Sequence, residues 1–105
     1  MAPDNPAIPA ELGRTYLESG KPEMALAEFG RALALAPNDP KALSNRGVAL
    51  AALGEREAAV ADFERALERY PCFHDALVNL RRLGREKPAP ANCAIPPAYR
   101  RGSLR

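Results

Sequence analysis

The residues with the most reactive side chains in this chain of 105 residues gather around Cys72, where His74, the one histidine, and Asp75 follow closely. A cysteine beside a histidine suggests a thiolate nucleophile. Such pairs work when the two side chains converge in a pocket, usually from distant parts of the sequence. Three near neighbours read instead as the first turn of a helix. Zinc would have Cys72, His74, Cys93 and a carboxylate to choose from, without the spacing of a recognisable zinc site. There is no glycine-rich loop to cradle a phosphate. The sequence therefore predicts no enzyme, no cofactor and no metal site.

The two cysteines are too few for a disulfide framework. One adjoins a helix boundary and the other lies in the tail. A redox pair or thiol switch is the functional alternative; the expectation is two free thiols in a reducing compartment.

Charge narrows the partners. The formal net charge is +2, too nearly balanced to make a case for a nucleic-acid or anionic-membrane surface. From Lys87 onward there are four basic and no acidic residues, so removing that segment leaves −2 on residues 1–86. Only this basic tail could bind RNA or another anion, with salt-sensitive affinity, and nucleic acid is disfavoured as a partner. No apolar run reaches the ~18 residues that a membrane-spanning helix needs. The opening MAPDNPAIPA lacks the charge and apolar stretch of a secretory signal. The expected setting is cytoplasmic.

What must position any functional residue is a repeat. MALAEFGRALALAP at 24–37 and AAVADFERALERYP at 58–71 are identical at seven of fourteen positions, at an offset of 34 residues. Similarity at a fixed period marks a repeat array. Ala25, Phe29, Ala32 and Leu33 fall at helical spacing, and Ala59, Phe63, Ala66 and Leu67 repeat the steps. Two further helices precede these, IPAELGRTYLES and PKALSNRGVALAAL, the second with Asp39 as N-cap and Pro40 at N1. Gly20 and Gly54 supply the turns inside each pair. A fifth helix, about 73–85, has Phe73, Leu77, Leu80 and Leu83 as its apolar stripe. The expected fold class is all-α, with about five helices in antiparallel helix–turn–helix units and no strands. The tail, KPAPANCAIPPAYRRGSLR, has no helical period and should be extended or disordered. Within it Pro96-Pro97-Ala98-Tyr99 has the shape of a WW-module ligand, and Ser103 follows arginines as in a kinase site. Both strings also arise by chance in such a composition.

These registered residues resemble the tetratricopeptide repeat family, whose unit has 34 residues in two antiparallel helices. In repeat one (6–39) the matches are Leu12, Gly13, Tyr16, Gly20, Ala25, Phe29, Ala32 and Pro37; in repeat two (40–73) they are Gly47, Gly54, Ala59, Phe63, Ala66 and Pro71. Pro9 and Leu43 replace the family's tryptophan, Arg46 its leucine and Leu50 its tyrosine. Residues 1–5 form a lead-in, 74–86 a cap or shortened third repeat, and 87–105 the tail. Gly13 with Ala25, and Gly47 with Ala59, should let the helices of a pair approach. Phe29 and Phe63 should fill the spaces between neighbouring helices, each contributing roughly 2–3 kcal/mol.

The resemblance implies a non-enzymatic interaction module whose first helices line a concave groove for a peptide or a partner helix. The groove residues it assigns are Arg14 and Leu17, then Lys41, Asn45 and Val48, and from the fifth helix Asn79 and Arg82. Asn45 and Asn79, 34 residues apart, would stand on one line and could pair with a ligand backbone. Family members that bind chaperone tails use a carboxylate clamp of lysines, asparagines and arginine. Only Asn45 matches that set, and Asp75 puts a negative charge where a lysine is needed, so a chaperone tail is not the expected partner. The competing role is structural self-association, a homo-oligomer stacked through exposed helices, with Leu80 as the expected contact.

Overall fold

A computed structural model of the chain describes residues 4–93. They form five helices: α1 (Ala7–Glu18), α2 (Pro22–Leu35), α3 (Pro40–Ala52), α4 (Arg56–Arg69) and α5 (His74–Arg82). Pairs α1/α2 and α3/α4 are the two hairpins; α2 packs on α3, and α4 on α5. No strand occurs among the described residues, and the all-α fold stands. The strings at 96–99 and Ser103 lie outside the described residues.

The helix boundaries follow from local chemistry. Asp39 caps α3, its carboxylate accepting the Lys41 N–H at 3.2 Å, with Pro40 at the first helical position. Helices α1, α3 and α5 end alike. Gly20, Gly54 and Gly84 have φ of 75°, 82° and 76°, a region open to glycine at little cost. The next N–H then reaches back across the turn: Lys21 to Tyr16 O, Glu55 to Leu50 O and Arg85 to Leu80 O, each at 2.8 Å. Gly84 ends α5 with the same motif as its predecessors; α5 starts 34 positions after α3 and is four residues shorter, His74–Arg82 against Pro40–Ala52.

Phe29 and Phe63 are fully buried among side chains of the neighbouring helices, as expected. Each ring lies on the glycine of its own hairpin. A Cβ built on Gly13 would stand 2.6 Å from Phe29 Cε1, and one on Gly47 would stand 2.6 Å from Phe63 Cε1. What is corrected is the expectation that the rings are too large for the close approach at the glycines: they fill that contact. Glycine is needed because the ring occupies the place of its side chain. Around Phe63 the core gathers Leu43, Val60, Ala66 and Leu80; around Phe29 it is smaller, with Ala25 and Ala49. Gly30 faces open space, and nothing in the structure explains it.

The free-thiol expectation is contradicted. Cys72 and Cys93 form a disulfide with Cα atoms 5.4 Å apart. After Gly84 the chain turns back beside α4, where Arg85 bonds Glu57 at 2.6 Å and Lys87 approaches Glu64 at 3.5 Å. That return brings the two cysteines together across 21 positions. Arg85 also holds the Glu57 carboxyl below its ordinary range, and Glu57 raises the Arg85 guanidinium. Arg56 donates to Leu83 O. The C-terminal edge is thus closed by α5, three arginine and lysine contacts and one covalent bond.

Candidate partner-binding cleft

Helices α3 and α5 begin 34 positions apart, at Pro40 and His74, and residues at that offset on them stand side by side. Between them opens a cleft of about 270 Å³. Ser44, Asn45 and Val48 line it from α3, and Asp75, Val78, Asn79 and Arg82 from α5. Ser44 is buried, and Asn45, Val48, Val78 and Asn79 are half-buried. Neither asparagine amide has a side-chain hydrogen bond among the described residues. Arg82 and Asp75, two helical turns apart, are likewise without an ion pair there. The cleft therefore offers amide donors and acceptors over valine side chains, with opposite charges toward its two ends.

Four of the seven expected groove residues, Asn45, Val48, Asn79 and Arg82, meet in this cleft. The other three do not line it. Arg14 is exposed on α1 and pairs with Glu11 at 3.6 Å. Leu17 is half-buried against the Phe29 cluster, where it serves packing. Lys41 is exposed in the first turn of α3. Of the repeat-signature residues, Gly13, Ala25, Phe29, Ala32, Gly47, Ala59, Phe63 and Ala66 are buried. Tyr16 is half-buried, and Pro37 and Pro71 are exposed at the connections. Leu12 is 40% exposed at the outer face of α1. Leu80 is fully buried against α4. It cannot be the self-association contact expected of it.

The pairing that sequence reasoning missed is Arg46 with Asp62. Arg46 Nε donates to Asp62 Oδ2 at 2.7 Å and Nη2 to Oδ1 at 2.8 Å, a two-point contact with Asp62 almost wholly buried. The hydrogen bond from Asp62 raises the Arg46 guanidinium above its ordinary value, against desolvation. A signal was available: at an offset of 34, Leu12 and Glu28 both change, to Arg46 and Asp62. Among the described residues no group of histidine, cysteine or carboxylate side chains could hold a metal ion.

The stacked hairpins with a cleft between first helices define a helical-repeat protein of the interaction type. The tetratricopeptide repeat family model matches residues 11–72, more than half the chain, and the protein belongs to that family. A solved structure, the first TPR of Spaghetti (RPAP3) bound to the HSP90 peptide SRMEEVD, is similar at 35% identity and a TM-score of 0.75. The match covers 79% of this chain and 66% of that one, just short of two thirds of the neighbour's length. No curated protein sequence matches the chain. No helix among the described residues is long and apolar enough to cross a membrane.

Proposed function

We propose that the protein is a non-enzymatic adaptor that holds an extended peptide in the α3–α5 cleft, with Asn45 and Asn79 bonding the ligand backbone. The observation that carries this reading is the pair of half-buried amides, side by side and without side-chain partners, above Val48 and Val78. A desolvated amide gains most from a ligand that meets both its donor and its acceptor. Arg82 adds a site for a carboxylate at one end. Arg14 and Lys41, both exposed, contribute to the ligand's approach rather than to the cleft. The setting proposed for this role is the cytoplasm, where the Cys72–Cys93 bond would be under reducing pressure.

The neighbour's HSP90 peptide is a natural probe. Asp75 faces the cleft, and a peptide carrying two glutamates and an aspartate would meet its charge. The proposed ligand is accordingly not such a tail. The test is selection from a displayed random-peptide library on the intact chain and on the Asn45→Ala/Asn79→Ala variant, with SRMEEVD alongside. Peptides enriched by the first and lost by the second are expected, with SRMEEVD binding weakly. The same peptides selected with the same affinity by both proteins would remove the amides, and the reading with them.

A further inference from the structure

The two ends of the stack are finished differently. Where the C-terminal edge is closed, the N-terminal edge presents an open hollow of about 390 Å³ between the outer faces of α1 and α2. Ile8 is 61% exposed there, Leu12 40% and Leu35 41%. The residues 34 positions later show what this surface does when a repeat is stacked on it. Ala42 and Leu43, the counterparts of Ile8 and Pro9, are buried at the junction of α2 and α3. Arg46, the counterpart of Leu12, is neutralised by Asp62. Arg69, the counterpart of Leu35, is an exposed charge.

Repeat one is therefore more apolar on its outer face than repeat two is at the same positions, although repeat two has the neighbour. A repeat whose outer face meets only water needs the reverse, a polar outer face. An exposed apolar patch of this kind marks a surface that is covered in use.

The geometry points to a second copy of this chain as the cover, in a two-fold dimer with α1 of each copy against α2 of the other. Three observations favour that occupant. The apolar strip on α1 (Ile8, Leu12) lies beside one on α2 (Leu35), so a two-fold axis sets unlike strips together and lets one patch serve both copies. The charges lining the hollow, Glu28 and Arg31, already pair with each other, so two copies meet without net repulsion. Head-to-tail stacking would need the C-terminal edge, where Arg56, Arg85 and Lys87 stand in polar contacts; the exposed Tyr70 lies apart from them, beside Pro71 and Phe73 at the α4–α5 connection. The dimer leaves the α3–α5 cleft of each copy open, at the opposite end of the stack, and stands independently of the peptide reading.

The test is sedimentation velocity on the full chain from low micromolar to several hundred micromolar, with and without reductant, beside the Leu12→Arg/Leu35→Arg variant. That variant gives repeat one the residues of repeat two at these two positions, both exposed, so a native helical spectrum should be kept. A concentration-dependent dimer, insensitive to reductant and weakened about tenfold or more in the variant, is expected, about 1.4 kcal/mol or more in dimer free energy. A chain that stays monomeric throughout overturns the proposal. So does a dimer lost on reduction, or one that persists unchanged in the folded variant.

Discussion

Repeats one and two fold on one frame and face different surroundings, and the difference is written at a few matched positions. Both bury a phenylalanine on the glycine of the partner helix, and both end their first helix at a left-handed glycine. At the outer face, however, repeat two has Arg46 locked to the buried Asp62, where repeat one has Leu12 open to solvent with Glu28 held by Arg31 one turn on. The shared positions make the hairpin. The divergent ones decide what the hairpin can touch.

Substitution at the matched positions puts this to the test. Phe63→Ala should have the largest effect, a loss of about 3–5 kcal/mol in denaturant unfolding. Phe29→Ala should cost less, because Phe63 sits in the larger of the two clusters. Equal losses would mean that the two hairpins share one core. Next comes Arg46→Leu, which makes repeat two resemble repeat one but leaves Asp62 buried without a partner. A loss of about 2–3 kcal/mol is expected, largely recovered in Arg46→Leu/Asp62→Ala, since removing both charges lifts the desolvation burden. A single variant as stable as the parent would show the pair to be incidental.

Gly13→Ala and Gly47→Ala should then cost similar amounts, about 1–3 kcal/mol each, as the added methyl meets a ring in both repeats. Ala59→Leu should fall in the same range of about 1–3 kcal/mol by overpacking a fully buried site. Unchanged melting temperatures would contradict the ring-on-glycine packing. The smallest effect is expected at Asp75, which stands 34 positions after Lys41. Asp75→Lys gives the third unit the charge of the second and should tighten SRMEEVD binding about tenfold, ~1.4 kcal/mol by titration calorimetry. No change would place that peptide elsewhere on the molecule.

The frame was legible in the sequence because periodicity and end signals are local. The steps from Ala25 to Leu33, the Asp39-Pro40 start and the Gly20 and Gly54 stops each act within a turn or two of chain. The cleft was legible for a related reason: once the period is known, Asn45 and Asn79 must stand side by side. Arg14, Leu17 and Lys41 fell outside the cleft: the first two lie on α1, which does not line it, and Lys41 is exposed in the first turn of α3, ahead of the lining residues. The Arg46–Asp62 pair joins two helices across 16 positions, and the Cys72–Cys93 bond depends on the path after Gly84. Neither distance is encoded in a period. Nor was the exposure of Leu12, whose burial depends on whether something stacks upon α1.

The cleft itself is tested most directly by titrating isotope-labelled protein with a peptide selected on it and following every backbone amide by NMR. Shifts concentrated at Ser44, Asn45, Val78 and Asn79, with those at Ile8, Leu12 and Leu35 unmoved, are the expected result. Shifts centred on the outer face of α1 and α2 with α3 and α5 silent would contradict it.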